Sequence, residues 1–134
     1  QRVELTPSII MSDSKNARIV DETIERIATN DPSLTLTSIY LNENESIDAA
    51  ACVRIAEALR DNTHLTLLLL RFNDIGDVGA SALAETLKCN TTLAHLDLRH
   101  NDIGSVGALE LSEMLKSNTT LTYLSLEGNG IGND

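Results

Sequence analysis

The sequence predicts an α/β fold of stacked strand–helix units, and two observations lead to this prediction. The stretch NDIG occurs at residues 73–76 and again at residues 101–104. Aligning the chain on these asparagines gives one template, L-x-x-L-x-L-x-x-N-x-I-G, followed by an apolar segment and N-T. Units matching it begin at Leu36, Leu65, Leu93 and Leu121. Because one strand and one helix cannot bury their apolar faces alone, copies are expected to stack, with strands in a parallel sheet and helices outside.

The first half of each unit is predicted to be a strand. The last two leucines of L-x-x-L-x-L are two positions apart, so their side chains lie on one side of an extended backbone. The first unit fits with one extra residue between Asn44 and Ile47, and the fourth stops before any helix. The prediction is three full repeats and one partial repeat over residues 34–134.

The second half of each unit is predicted to be a helix, because its apolar residues follow the spacing i, i+3, i+4, i+7. These predicted core residues are Cys52, Ile55, Ala56 and Leu59 in the first repeat, Ala80, Leu83, Ala84 and Leu87 in the second, and Ala108, Leu111 and Leu115 in the third. Asp77 and Ser105 precede two of the helices and are predicted N-caps, since a side-chain oxygen can accept a hydrogen bond from a free amide there.

The repeated NDIG stretch is predicted to be structural. Its asparagine lies where the chain leaves the strand, and a short amide can bond backbone groups that the turn leaves unpaired. Its isoleucine is expected to point into the core, and its glycine to allow a tight turn. The same residues recur because the same backbone geometry recurs.

The template resembles the leucine-rich repeat, in the long 28/29-residue class found in ribonuclease inhibitor and in NOD-like receptors. The resemblance covers about residues 34–132. It implies a right-handed solenoid with a concave parallel β-sheet, convex α-helices and an N-terminal helical cap. It implies no particular function, because this fold serves many unrelated partners.

The N-terminal region is predicted as a flexible arm, residues 1–16, followed by a capping helix within residues 17–33. Ile19, Val20, Ile24 and Ile27 form one helical stripe, and the Asn-Asp-Pro sequence at residues 30–32 ends it. The stretch IERIATNDPSL is similar to the start of the repeat domain of tropomodulin, an actin pointed-end capping protein. That resemblance implies actin as a partner.

Charge and composition exclude several classes of function. Twenty acidic and ten basic residues give a net charge of −10, which argues against nucleic acid or an anionic membrane as the main partner. No apolar run approaches the roughly 18 residues of a membrane span. The two cysteines, Cys52 and Cys89, lack disulfide-framework spacing, which favours a reducing compartment and a cytoplasmic location. Glycosylation sequons begin at Asn44, Asn90 and Asn118 and would matter only in a secreted protein.

A protein-binding site is predicted on the concave face of the sheet. The x positions of L-x-x-L-x-L point outward there and form rows across strands roughly 4.8 Å apart. One predicted row joins Tyr40 to Leu69, and the next joins Ser38 to Leu67. The two leucines occupy positions expected to face water, and the three aromatic residues of the chain share this surface. The predicted site consists of Tyr40, Leu67, Leu69, Arg71, Phe72, His95, Asp97, Arg99, Tyr123, Ser125 and Glu127, a composition typical of an interface core.

Two other interpretations of the leucines remain: cover by the N-terminal arm, or tolerated surface apolar residues. Catalysis is not predicted, because Asp97 neighbours Ser125 in its row, where it cannot orient His95, and an open sheet offers no pocket that excludes water. No metal or cofactor is predicted, since the histidines and cysteines lack ligand spacing.

We therefore predict a non-enzymatic protein–protein interaction module, scaffold or regulatory, from a longer eukaryotic protein. The alternative is a tropomodulin-like, actin-binding cytoskeletal regulator. A GTPase activator like the Ran GTPase-activating protein shares the repeat class but is favoured by no residue here, and a NOD-like receptor would need a P-loop. Because the fourth repeat lacks a helix, the chain is expected to be a fragment, or its last edge to be covered by a partner, with an edge-to-edge dimer as one option.

Overall fold

The computed structural model describes residues 15–38 and 47–131. They form a mixed α/β domain, with helices and strands alternating as predicted. The elements in chain order are α1 (Lys15–Ala28), β1 (Leu36–Ser38), α2 (Ala49–Leu59), β2 (Leu67–Leu69), α3 (Gly76–Leu87), β3 (His95–Asp97), α4 (Ser105–Leu115) and β4 (Tyr123–Ser125). The strands form one parallel sheet in the order β1-β2-β3-β4. No helix of the described part is long and apolar enough to cross a membrane.

The core lies between the sheet and the helices, which pack in chain order, α1 on α2, α2 on α3 and α3 on α4. The predicted apolar faces of α2 and α3 are buried, as are the inward leucines of β2 and β3 and the isoleucines of the NDIG stretches. In α1, Val20, Ile24 and Ile27 are buried, but Ile19 is 45% exposed and lies outside the stripe. This helix begins at Lys15, within the predicted arm, whose residues 1–14 lie outside the described part.

The prediction that Leu115 belongs to the core is wrong. Leu115 is 45% exposed, whereas its counterpart Leu87 in the preceding repeat is 1% exposed. The difference arises because α4 covers the flank of α3, while no further helix of the described part packs on α4. Met114 instead supplies the buried side chain at the end of α4.

The pairing of the first repeat also differs from the prediction. The alignment placed Ser38 opposite Leu67 and Tyr40 opposite Leu69. In the structure, Leu36 pairs with Leu67 and Ser38 pairs with Leu69. The first strand is therefore displaced by two residues, and Ser38 takes the position opposite Leu69 that was expected for Tyr40.

The reason is that this stretch fits the template in two ways. Its apolar residues stand at 34, 36, 39 and 41, so either Leu34 or Leu36 can take the first leucine position. Leu34 is buried and Leu36 is 63% exposed, which shows that Leu34 takes it. The segment before Ile47 is consequently longer than the one extra residue predicted, and residues 39–46 lie outside the described part.

The structural role predicted for the turn asparagines is confirmed. The Asn101 side chain is fully buried and its amide donates to the carbonyls of Leu70, in the preceding repeat, at 2.8 Å and of Arg99 at 3.1 Å. The side chain of Asn129 repeats the arrangement: its Nδ2 donates to Leu98 O at 2.9 Å, and its Oδ1 accepts from the backbone amide of Asn101 at 2.8 Å. These asparagines, with Asn73, form a ladder that bonds each repeat to the one before it.

A second ladder lies at the helix ends. Asn90 donates to Leu59 O at 2.8 Å and accepts from the backbone amides that follow it, while Asn118 donates to Leu87 O at 2.8 Å. Asn62 makes the equivalent bond to Ile27 O at 3.0 Å. Because Asn90 is 3% exposed, its sequon is explained by this buried structural role.

Two details of the helix starts differ from prediction. Asp77 and Ser105 are helical residues and do not cap their own helices; the residues at those N-caps are Ile75 and Gly104. Gly76 has φ +65° and needs the freedom of glycine, but Gly104 has φ −99° and does not. Among α2, α3 and α4, a local side-chain cap is found in α2 alone, where Asp48 accepts from Ala51 N at 2.8 Å.

Candidate functional site

The outward side of the sheet, together with the residues that directly follow the strands, is called the sheet face below. The strand register places four residues in one row across it: Leu36, Leu67, His95 and Tyr123. Leu36 is 63% and Tyr123 42% exposed, so both ends of the row offer apolar surface to solvent. Leu67 and Leu69 are half-buried, and so less exposed than outward positions would suggest.

Ring stacking joins neighbouring repeats on this face. The rings of His95 and Tyr123 lie nearly parallel with centroids 4.0 Å apart, and those of Phe72 and His100 with centroids 4.7 Å apart. Phe72 and His100 occupy equivalent positions before the turn asparagines, with φ of 61° and 56°. Gly128 is the next residue in that series, with φ 75°, and a Cβ atom there would collide with the His100 ring.

Asp97 and Arg99 form an ion pair within one repeat. The guanidinium Nε of Arg99 donates to Oδ1 of Asp97 at 2.9 Å and Nη2 donates to Oδ2 at 2.7 Å. These hydrogen bonds lower the pKa of Asp97, even though its burial opposes the shift, and they raise the pKa of Arg99. Asp97 is only 2% exposed. Two predicted site residues are therefore brought together, but Asp97 presents almost no surface to a partner.

Arg71 and Glu127 are exposed on either side of this pair. Their charges are close enough to act on it, since Arg71 contributes to lowering the pKa of Asp97 and Glu127 to raising that of Arg99. Both residues belong to the site predicted from the sequence. Of the predicted site, Tyr40 lies outside the described residues, and the register places Ser38 opposite Leu69 in its stead.

Sequence reasoning missed the outward position of Leu36, because the alignment assigned it to the core. The signal that could have found it is the second leucine two residues upstream, at position 34. It also missed the partnership of Asp97 with Arg99. That spacing of i, i+2 places both side chains on one side of a strand and could have been recognised.

His95, Asp97 and Ser125 share the sheet face without a side-chain hydrogen bond between them. Asp97 pairs with Ser125 in the strand register, and no hydrogen bond within the described part joins the side chains of His95, Asp97 and Ser125. Within residues 15–38 and 47–131, no cluster of three or more His, Cys, Asp or Glu side chains could hold a metal ion. Cys52 is buried, and desolvation raises the pKa of its thiol to about 12; Cys89 is exposed.

Comparison with known proteins gives a match to a family model and matches to solved structures. The model of the TMOD/LMOD leucine-rich domain matches residues 16–128. A solved structure of leiomodin-1 actin-binding site 2 is 36% identical, with a TM-score of 0.77 over 83% of this chain and 63% of that one.

A tropomodulin C-terminal domain from Caenorhabditis elegans is 18% identical, with a TM-score of 0.72 over 82% of this chain and 65% of that one; at this identity the likeness shows the fold alone. The chain thus spans less than two thirds of either structure. No curated protein sequence matches it.

Proposed function

Because the chain belongs to the TMOD/LMOD leucine-rich domain family, we propose that it is a non-enzymatic, actin-binding domain of a cytoskeletal regulator. The observation that carries the proposal is the 36% identity to leiomodin-1 actin-binding site 2 across 83% of this chain. A general protein-interaction module with another partner is the second candidate. The exposed side chains of Leu36, Phe72 and Tyr123 on the sheet face favour this second candidate.

We further propose that the repeats form a right-handed solenoid of the ribonuclease-inhibitor-like class, with the sheet face concave and the helices convex. Parallel strands in chain order, each joined to the next through a helix, support this shape, because such crossovers are right-handed in nearly all proteins. The proposed cap is α1, which is fixed to α2 by the Arg54–Asp21 ion pair at 2.9 Å. A cytoplasmic location fits an actin partner and the two free cysteines.

The sheet face is the proposed contact surface. It carries the exposed rings of Phe72 and Tyr123 and the exposed side chain of Leu36. The exposed charges of Arg71 and Glu127 lie on the same face. Four strands of three residues each span roughly 19 by 10 Å, or about 200 Å². A standard interface buries about 800 Å² per partner, so the loops beside the strands must contribute to the contact.

Absence of catalysis is part of the proposal. The carboxylate of Asp97 is held by Arg99 and is unavailable to orient a histidine. The face is open, and an open sheet does not exclude water from a reaction.

Co-sedimentation of the chain with actin filaments tests the proposal. The unaltered chain should pellet with filaments, and a Leu69→Asp, Arg71→Glu double variant with unchanged circular dichroism should remain in the supernatant. The matched control is Val78→Asp, Arg60→Glu, which makes the same chemical changes at exposed helix-side positions and should pellet normally.

The outcomes separate the candidates. A chain that binds neither actin filaments nor actin monomers contradicts the proposed function. If the chain and the double variant pellet equally, the actin contact lies outside the sheet face. A purified protein other than actin that binds the chain but not the double variant would support the second candidate.

A further inference from the structure

A row of charged residues crosses the sheet face just beyond the strands. Backbone hydrogen bonds set its register, from Phe72 N to Arg99 O at 2.9 Å and from His100 N to Glu127 O at 3.0 Å. Arg71, Arg99 and Glu127 therefore stand at equivalent positions in three successive repeats. Arg99 is neutralised by Asp97, which leaves a charge at each end of the row.

Neither of the two end charges forms an ion pair in the described part of the chain. Arg71 and Glu127 are both exposed, and neither side chain takes part in any of the ion pairs or side-chain hydrogen bonds formed within residues 15–38 and 47–131. Two strand spacings separate the positions, about 10 Å.

Apolar surface lies beside this charged row. Leu67 and Leu69 on β2 and the stacked His95 and Tyr123 rings occupy the strand positions below Arg71 and Glu127. The face thus carries a cation at the β2 end, an anion at the β4 end and apolar side chains along the strands.

We propose that the sheet face binds an amphipathic helix of its partner, laid across the strands, with a carboxylate over Arg71 and a lysine or arginine over Glu127. Seven helical residues rise about 10.5 Å, and positions i and i+7 lie on the same side of a helix. The helix diameter of about 10 Å also matches the exposed length of the strands. Aliphatic residues at i+3 and i+4 would then lie between the charges and meet the leucines and rings.

An extended segment fits this pattern less well. Three residues of a strand also span about 10 Å, but side chains three apart point to opposite sides. A strand therefore cannot present both charges and the apolar residues between them to one surface. The charge spacing favours a helix.

The inference rests on the proposed function in taking the sheet face as the binding surface, but a peptide assay tests it without actin. A helix-stabilised peptide with Glu at i, Leu at i+3 and i+4, and Lys at i+7 is compared with a peptide of the same composition. In the second peptide the two charges move to i+2 and i+9, on the opposite side of the helix. Binding to the chain is measured by fluorescence anisotropy.

The first peptide should bind at least about tenfold more tightly than the second at low salt, because opposed charges strengthen and misplaced charges weaken association. Its preference should disappear with Arg71→Glu and with Glu127→Lys. The controls Arg60→Glu and Glu57→Lys, which make the same charge changes at exposed positions of the α2 side, should keep it. Equal binding of the two peptides, or binding of neither, would overturn the inference.

Actin co-sedimentation with the same four variants separates the inference from the proposed function. Weaker binding by the two sheet-face variants alone, with the difference shrinking near 1 M salt where charges are screened beyond about 3 Å, supports both. An unaltered chain that does not bind actin refutes the proposed function, while the peptide assay still decides the inference. Actin binding that all four variants retain refutes the inference for actin and leaves the proposed function standing.

Discussion

Asp77 in the first turn of α3 caps the helix of the following repeat: its Oδ1 accepts a hydrogen bond from the Gly104 amide at 2.8 Å. A second bond comes from the Gly107 amide at 2.9 Å. Gly104 is the N-cap residue of α4 and has no side chain to supply the oxygen itself. The cap of one repeat is therefore provided by its neighbour, which makes it part of the contact between repeats.

Replacing Asp77 should weaken the stack. We expect Asp77→Ala to lower the free energy of unfolding by about 1 kcal/mol, the usual effect of losing an N-cap oxygen, and Asp77→Asn to lower it less. Urea unfolding followed by circular dichroism measures the change. Asp61→Ala removes the same charge at an exposed helix end and should change little; a loss equal to that of Asp77→Ala would contradict the capping role.

Replacing Asn101 should destabilise the fold more than replacing any exposed asparagine. Asn101→Ala removes one of the two side-chain hydrogen bonds to the buried carbonyl of Leu70, which keeps the bond from Asn73. It also leaves the buried amide of Ile75 without its side-chain partner, and unsatisfied buried groups are costly. We expect a loss of about 2–4 kcal/mol in the free energy of unfolding. Asn129→Ala, at a half-buried site, should lose clearly less, and the same urea measurement compares them. Equal losses would show that burial does not set the energy of the ladder.

Gly128 and Gly130 should respond in opposite ways to alanine. Gly128 has φ +75°, and a Cβ there would strike the His100 ring, so Gly128→Ala should destabilise the fold by about 1–2 kcal/mol. It should also separate His100 from Phe72, which aromatic NMR shifts would report. Gly130 has open space around it, and Gly130→Ala should be neutral or stabilising by up to about 1 kcal/mol. Similar melting temperatures for the two variants would refute this difference.

Asp31 should give the fold a dependence on acid pH. Hydrogen bonds from Arg26 and from Ser33 lower the pKa of its carboxyl from 3.8 to about 2. A carboxyl with a lowered folded pKa stabilises the fold fully above its unfolded value, so this contribution is present above about pH 4 and is lost as the pH falls towards 2. NMR titration of the Asp31 carboxyl carbon measures the pKa directly. Arg26→Gln should return it towards 3.8, and a titration near 3.8 in the unaltered chain would contradict the prediction.

The sequence predicted those features that depend on local pattern. Strict spacing of leucine, asparagine and isoleucine specified the alternation of strand and helix and the turn role of Asn101. The eleven-residue similarity to tropomodulin near Ile27 pointed to the family that the match over residues 16–128 confirms. Local spacing was sufficient for these because each repeat contains its own strand, turn and helix signals.

Features that depend on contacts between repeats were not predicted. Asp77 has the position and type of a local cap, and only its distance to the next helix shows which amides it bonds. The register of Leu36 was ambiguous because two leucines fit one template position. Leu115 was assigned to the core by its helical spacing, yet its burial depends on a neighbouring helix that sequence spacing alone does not supply.

The two asparagine ladders give the stack a polarity. Asn129 and Asn118 hold carbonyls of the repeat before them, so detaching the last repeat also strips its neighbour of the side chains that satisfy it. After each detachment, the repeat that is then last has lost the asparagine side chains that bonded its carbonyls. Loss of a repeat from the N-terminal side instead leaves the asparagine side chains in their own repeat. When the chain is pulled at its two ends, we therefore expect the repeats to unfold one at a time, beginning with the repeat nearest the C-terminus.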